Sequence, residues 1–393
     1  MINFNYSTYM KLIRITTVPG SFGLLKGQLR FMCENGYNVI GVSSGGNRLE
    51  RVSVEEGVRT IPIEMTRSIT PFKDLIALFK LIKLFVKEKP QIVHTHTPKA
   101  GLLGMLAAKI TGVPCRLHTV AGMPLTVTTG LKRYILVQIE RLTYFCATKV
   151  YPNSYGLMDI ILNENIIQKD KLKVIGKGSS NGIDCSVFDP ITVNDEVRNG
   201  IRTELGILED DFVFIFVGRL VRDKGVNELV KAFDNICKDY PKAHLLLVGG
   251  FERELDPLDS EIEEIIIENS NIHAVGFKNN VKNYFSIADV LTFPSYREGF
   301  PNVVMQAAAM QLNSIVSNIN GCNEIIINGK NGWIIPVKDS LKLQEKMIWC
   351  LMNTSVSKQM GLRSREGVES NYDTKFIWNE LLNEYKQNLN SVK

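Results

Sequence analysis

Three short segments collect the residue types that could do chemistry. In the first, Glu298-Gly-Phe300 follows an apolar run, Asp289–Pro294, and precedes a helix-forming run opened by Pro301. Proline suits a first helical position, because the N–H it lacks has no intrahelical partner there. The turn is therefore expected between the carboxyl end of a strand and the amino end of a helix. Free N–H groups and the helix dipole favour an anion at that place. A lone glutamate there ordinarily caps the helix. Beside N–H groups that hold a phosphate, it can instead accept hydrogen bonds from sugar hydroxyls. The second segment, Gly218-Arg-Leu-Val-Arg-Asp-Lys-Gly225, follows the apolar run Phe212–Val217. Arg219 and Lys224 in one short loop suit a diphosphate, Arg bidentately and Lys as a point charge. The plain alternative is two solvated surface cations. The third is a pair of strand ends, Gln91–Gly101 and Cys115–Gly122, which carry His96, Lys99 and His118 toward one expected edge. His94 lies inside its strand and reads as structural. A single histidine is usually a satisfied polar group, but two delivered to the ligand-binding edge of an α/β sheet suggest a site.

These segments need a frame, and the chain alternates accordingly. Lys11–Thr17 reads as a strand, followed by a loop with Pro19, Gly20 and Gly23, a helix near Leu24–Glu34, and a strand at Tyr37–Ser43. A helix over Leu102–Thr111 and strands at Thr148–Ser154 and Leu172–Ile175 complete the first half. Gly176–Pro190, rich in Gly, Ser and Asn, reads as a hinge. The alternation restarts with Phe212–Val217, His244–Gly250, Ile272–Phe277 and Asp289–Phe293. Repeated β-α-β units predict an α/β fold with parallel, doubly wound sheets. The expected divisions are 1–185, 186–372 and 373–393, with the last helix, Lys375–Leu389, crossing back to the first domain. The amino-terminal loop is not a strict G-x-G-x-x-G, so it says little about a dinucleotide.

Bulk properties exclude several classes. The seven cysteines are scattered without a Cys-x-x-Cys pair, which argues for a reducing compartment and no structural metal. No apolar run approaches the ~18 residues needed to span a bilayer. The start, Met1-Ile-Asn-Phe-Asn-Tyr6, shows no basic segment leading into an apolar one, so no signal peptide is expected. Charge is uneven. Residues 1–190 carry 24 of the 46 Lys and Arg but only 13 of the 41 Asp and Glu, about +11, which leaves about −6 for the rest. A basic half can face nucleic acid, anionic lipid or a diphosphate, or simply be solvated. Within it, Pro71–Lys89 interleaves Phe72, Leu75, Ile76, Phe79, Ile82, Leu84, Phe85 and Val86 with five lysines. Leu125–Val150 is a second apolar-basic stretch. Each reads first as a helix covering a sheet, and second as a patch lying on an anionic membrane.

Glu-Gly-Phe-Pro-Asn-Val-Val (298–304), small residues, then Asn320-Gly-Cys-Asn-Glu-Ile-Ile326 resembles the donor-site signature of retaining glycosyltransferases of the GT-B fold, glycosyltransferase family 4. The run His94-Thr-His-Thr-Pro-Lys-Ala-Gly101 looks like the bacterial branch that builds surface polysaccharides and lipid-linked oligosaccharides. Ser180-Asn-Gly-Ile-Asp184 looks like the family's interdomain junction. The resemblance covers nearly the whole chain and implies two Rossmann-like domains facing a cleft. It implies a nucleotide-sugar donor, UDP-linked, and a lipid-diphosphate-linked acceptor, with no metal cofactor and no nucleic-acid partner. The place implied is the cytoplasm, at the cytoplasmic membrane face.

By the same resemblance, Glu298 and His118 meet the donor sugar. Arg219, Lys224, Gly299, Phe300, Asn302 and Val303 hold the diphosphate, while Gly276 and Phe277 meet the base. Gly20, Gly23, His96 and Lys99 lie on the acceptor side. The family's second glutamate, on the ribose, is Gln306 here; an amide can bond a hydroxyl but without the charge-assisted strength of a carboxylate. No Asp-x-Asp pair stands in a suitable loop, so Arg219, Lys224 and the N–H groups after Glu298 are expected to stabilise the leaving diphosphate. The transferred group is expected to be a hexose or N-acetylhexosamine. A nucleotide-sugar epimerase of the same fold and a non-catalytic nucleotide-sugar binder are the other two readings.

Overall fold

The computed structural model describes residues 10–123, 128–254 and 256–391. The first six residues, read above for a leader, and Leu125, at the head of the second apolar-basic stretch, lie outside the described residues. Contacts divide the chain into two units, Met1–Asn181 with Lys375–Lys393, and Gly182–Thr374.

Unit 1 runs β1 (Met10–Ile15), α1 (Gln28–Glu34), β2 (Tyr37–Ser43), α2 (Asn47–Glu56), β3 (Arg59–Pro62), α3 (Pro71–Glu88), β4 (Ile92–His96), α4 (Pro98–Ile110), β5 (Cys115–Val120), α5 (Gly130–Cys146), β6 (Lys149–Pro152) and α6 (Tyr155–Asn163). Its six strands lie in the order β3-β2-β1-β4-β5-β6, and all pair in parallel. Parallel strands are covered on both faces, which is why Leu12, Ile13, Ile15, Ile92 and Val93 are all fully buried. Strand order reverses between β1 and β4, so the loops after those two strands open the crevice where doubly wound sheets take ligands.

Unit 2 repeats the plan with α7 (Asp195–Leu205), β7 (Phe212–Val217), α8 (Val226–Asp239), β8 (Ala243–Val248), α9 (Ser260–Glu268), β9 (Ile272–Gly276), α10 (Val281–Phe285), β10 (Val290–Phe293), α11 (Asn302–Ala309), β11 (Asn313–Ser317), α12 (Cys322–Ile325), β12 (Gly332–Ile335), α13 (Ser340–Met352) and α14 (Thr354–Tyr372). The sheet order is β12-β11-β10-β7-β8-β9, again all parallel, and it reverses between β7 and β10. The loops after β7 and β10 carry Arg219, Lys224 and Glu298, so the sequence's second and first segments meet at this unit's switch point.

The last helix, α15 (Thr374–Asn390), packs within unit 1 from Lys375 onward. It buries Ile377, Leu381, Leu382 and Tyr385. Trp378 Nε1 donates to Asn181 Oδ1 (2.7 Å), and its ring packs on Phe31 at 5.4 Å. Glu384, itself buried, pairs with Lys173 and accepts from Tyr151 (3.3 Å).

Three element readings are corrected. Leu172–Ile175 is not a strand. Only Leu172 bridges to Val150, while Ile175 belongs to the apolar cluster that α15 closes. The helix read near Leu24–Glu34 is two pieces, a 3₁₀ turn over Pro19–Leu25 and then α1, separated by Gly27 at φ 80°. Helix α4 starts at Pro98 rather than Leu102, so the loop expected to carry Lys99 is already helical.

Candidate donor site and the histidine edge

In unit 2 the two switch-point loops press together. Gly225 has φ 70°, and a Cβ there would lie 2.1 Å from the Pro294 carbonyl oxygen. Glycine is what lets the chain turn left-handed and pass under the end of β10. Lys224, the residue before it, reaches Glu298 Oε1 at 2.5 Å, with both side chains only 16% exposed. Ser295 Oγ donates to the same oxygen (2.9 Å). Asn320 Nδ2 donates to the carbonyls of Glu298 (2.5 Å) and Gly299 (3.1 Å) and so fixes the turn. The sequence brought Lys224 and Glu298 near one edge; the structure makes them one ion pair. Arg219 lies further out, half-exposed, and its guanidinium meets Glu252 at 2.7 Å.

The remaining donor-side candidates follow from α11. Pro301 caps it, one residue earlier than a first helical position. The N–H groups of Asn302 and Val303 precede the first helical bond, from Val304 N–H to the Pro301 carbonyl (3.2 Å), and are left for another acceptor. Phe300 is buried against Tyr372, with ring centroids 5.2 Å apart. It therefore anchors the turn through its ring. Gln306, in the second turn of α11, is half-buried and has no side-chain hydrogen-bond partner among the described residues. Gly276 ends β9, and its carbonyl accepts from Gly249 N–H (3.0 Å). Phe277 beyond it is 77% exposed, an apolar ring standing at the carboxyl edge of the sheet.

In unit 1 the two histidines reach the same edge on opposite faces. Neighbouring strand residues point to opposite sides. The register sets Thr95 beside His118, and His96 beside Thr119. His118 therefore shares Thr95's face, and its Nδ1 lies 2.8 Å from Thr95 Oγ1. It is buried against α4, where Gly101 leaves room for its ring, and burial pushes its pKa down to about 4, so the imidazole is neutral. His96, on the other face, takes a hydrogen bond at Nε2 from Arg14 (2.8 Å). Lys99 is saturated within the unit: Asp74 accepts from it at 2.6 and 2.9 Å, and Thr66 and Thr70 hold it as well. Gly20 and Gly23 lie in the 3₁₀ turn after β1. A Cβ on Gly23 would meet nothing, and one on Gly20 would approach only the Arg48 guanidinium, at 3.0 Å.

Sequence reasoning missed the group that holds His96. Arg14, inside β1, is fully buried and donates to Tyr385 Oη (2.9 Å), Gln28 Oε1 (2.5 Å) and His96 Nε2. The Tyr385 hydroxyl, already accepting from Arg14, donates to His94 Nδ1 (2.7 Å), and His94 Nε2–H then donates to Thr119 Oγ1 (2.8 Å). Burial and the adjacent guanidinium hold both histidines neutral, well below their usual pKa. The one available signal was an arginine in the middle of the apolar strand Lys11-Leu-Ile-Arg-Ile15.

Two all-parallel doubly wound units are the build of the GT-B class of glycosyltransferases. The chain belongs to that enzyme family, since the family models "Glycosyl transferases group 1" and "Glycosyl transferase 4-like" match residues 197–367 and 21–154 and a relative aligned over nearly its whole length agrees. It is 34% identical over 375 residues to the capsular polysaccharide biosynthesis glycosyltransferase CapM of Staphylococcus aureus, covering 95% of this chain and 96% of that one. It is 31% identical over 278 residues, 70% of each chain, to the Escherichia coli UDP-Gal:alpha-D-GlcNAc-diphosphoundecaprenol alpha-1,3-galactosyltransferase. The fold matches that of Anabaena HepE, solved in complex with UDP, with a TM-score of 0.80 over 97% of this chain and 100% of that one at 15% identity.

Proposed function

We propose that this glycosyltransferase moves a hexosyl or N-acetylhexosaminyl group from a UDP-sugar to a lipid-diphosphate-linked sugar during surface-polysaccharide assembly, with retention and without a metal. The observation that carries the reading is the Lys224–Glu298 pair beside the free N–H groups of α11. A diphosphate seated on those N–H groups competes for Lys224 and leaves Glu298 to accept from sugar hydroxyls. Arg219 and Lys224 stabilise the leaving diphosphate as preorganised charge. The bond from the anomeric carbon to the diphosphate oxygen breaks, the bond to the acceptor oxygen forms on the same face, and the acceptor proton passes to the departing diphosphate. Glu298 orients the sugar, with Gly299 and Phe300 shaping the turn, and His118 serves in unit 1 as a neutral, buried imidazole at the carboxyl end of its sheet. Gln306 bonds the ribose, and Gly276 and Phe277 meet the base. Gly20, Gly23 and His96 stay on the acceptor side, whereas Lys99 acts there through its tie to Asp74. The two relatives' printed activities, capsule biosynthesis and transfer to a diphosphoundecaprenol sugar, support the acceptor class.

The test is incubation with labelled UDP-hexoses and UDP-N-acetylhexosamines plus an undecaprenyl-diphosphate sugar, with EDTA present. An elongated, labelled lipid is expected. A new nucleotide sugar in its place identifies an epimerase, and UDP binding without either product identifies a binder.

Unit 1 also supports peripheral attachment at the cytoplasmic membrane face. On α3, Phe72 (87% exposed), Leu75, Ile76, Phe79 and Val86 stand in solvent beside Lys73, Lys80, Lys83 and Lys87. Those lysines have no ion-pair partner among the described residues. The helix's acids are spoken for: Asp74 pairs with Lys99, and buried Glu88 with Lys11 and Arg59. Helix α5 repeats the pattern with exposed Leu131, Tyr134 and Phe145 (65% exposed) beside Lys132 and Arg141, its one acid, Glu140, being buried. No described helix is long and apolar enough to cross a membrane. Each cation near an anionic surface contributes about 1 kcal/mol. The full chain is therefore expected to float with anionic vesicles at low salt, and glutamate at positions 73, 80, 83 and 87 to abolish it. Equal binding to neutral vesicles, or no effect of salt, would contradict the surface.

A further inference from the structure

We infer that Tyr296 and Glu228 form a positioning pair that sets the Lys224–Glu298 contact, and with it the affinity for the donor nucleotide; this rests on the donor-site reading above. The loop after β10 is fastened at several points to the loop after β7 and to the helix α8 that follows it, and Tyr296 supplies two of them. Its N–H donates to the Asp223 carbonyl (2.9 Å). Its hydroxyl donates to Glu228 Oε1 (2.7 Å). Arg297 adds an ion pair to Asp223 Oδ2 (2.9 Å), and Asp223 N–H is held in turn by Asp256 Oδ2 (2.7 Å).

The order along the two segments matters. Tyr296 and Arg297 hold Asp223 and Glu228, and the next residue on one side, Glu298, meets the next on the other, Lys224. The ion pair is therefore flanked by the Asp223 fastenings and by the Tyr296–Glu228 hydrogen bond. Glu228 is in the first turn of α8, where the helix dipole favours a carboxylate. A hydrogen bond to a charged acceptor is stronger than a neutral one. Lys338 Nζ lies over the Tyr296 ring, 4.8 Å from its centroid. Burial and the Glu228 charge push the phenol's pKa up, so the hydroxyl keeps the proton it donates. Neither residue is assigned to touch the donor. Their effect passes through Lys224 and Glu298.

The experiment compares Tyr296→Phe, Glu228→Ala, Glu228→Gln and the double variant Tyr296→Phe/Glu228→Ala, in the full chain. UDP affinity is measured by calorimetry, and donor and acceptor KM are separated from kcat in the transfer assay. Tyr296→Phe and Glu228→Ala are each expected to weaken UDP binding and raise donor KM by about tenfold, leaving acceptor KM unchanged. The double variant should be no worse than the poorer single one, because both remove the same bond. Glu228→Gln keeps an acceptor oxygen and should recover most of the loss. Wild-type UDP affinity in Tyr296→Phe, fully additive losses, or no recovery in Glu228→Gln would each overturn the pair. Wild-type protein that binds no UDP would overturn the donor reading and the pair together, whereas a binding wild type with indifferent variants overturns the pair alone.

Discussion

Lys224→Ala is expected to lower kcat/KM by about 100-fold or more, and Arg219→Ala by about tenfold. Removing one preorganised contact to developing charge costs roughly 3–4 kcal/mol in other enzymes, and each ~1.4 kcal/mol is a factor of ten. Lys224 meets that description because it is largely buried and held by Glu298 and the left-handed turn at Gly225. Its loss also strands the Glu298 carboxylate, with Ser295 and without a cation, close to where the donor's diphosphate is proposed to lie. Arg219 is half-exposed and paired with a half-exposed Glu252, so water and salt screen its contribution. Steady-state kinetics with the UDP-sugar and calorimetry with UDP measure both. Wild-type turnover in Lys224→Ala would remove it from the site, and equal losses in the two variants would refute the ranking.

Gly101→Ala is expected to destabilise unit 1 by about 1–3 kcal/mol and to lower activity with it. The sign is not the usual one, since alanine in place of glycine inside a helix ordinarily gains about 1 kcal/mol. Here a Cβ would fall 2.4 Å from His118 Cε1 and 2.9 Å from its Nδ1. The ring has nowhere to go. It is buried, and Thr95 holds its Nδ1. Either α4 lifts from the sheet or His118 leaves its position, and overpacking outweighs the helix gain. Urea unfolding followed by kinetics on the folded fraction separates the two effects. An unchanged midpoint with unchanged activity would show that α4 yields without strain.

The alternation of apolar runs with helices was legible because parallel strands are covered on both faces and so read as unbroken Val, Ile, Leu and Phe. The position of Arg219, Lys224 and Glu298 just beyond such runs was legible for the same reason. Register was not. His96 and His118 look equivalent in sequence, and only the pairing of Thr95 with His118 puts them on opposite faces. Partners far away in the chain were also invisible. Lys99, expected on the acceptor side, is tied to Asp74, and Arg14, which drew no reading in the sequence, takes one of its acceptors from Tyr385, 371 residues on. Leu172–Ile175 misled because an apolar run shows burial, not pairing. Its Ile175 is covered by α15, and the stretch joins the sheet through one bridge.

The return of α15 to unit 1 has a consequence for biosynthesis. Gly182–Thr374 is one unbroken stretch and can close as soon as it has emerged. Unit 1 cannot. Roughly 200 residues separate Asn181 from Tyr385, which at about 5–20 residues per second means some 10–40 s of translation. During that interval the apolar cluster of Tyr37, Tyr151 and Ile175 against the first sheet lacks Leu381, Leu382 and Tyr385, and Arg14 lacks one of its three acceptors. The half of the protein made first is thus the half finished last, and its bare apolar face is the surface a nascent-chain chaperone is expected to hold.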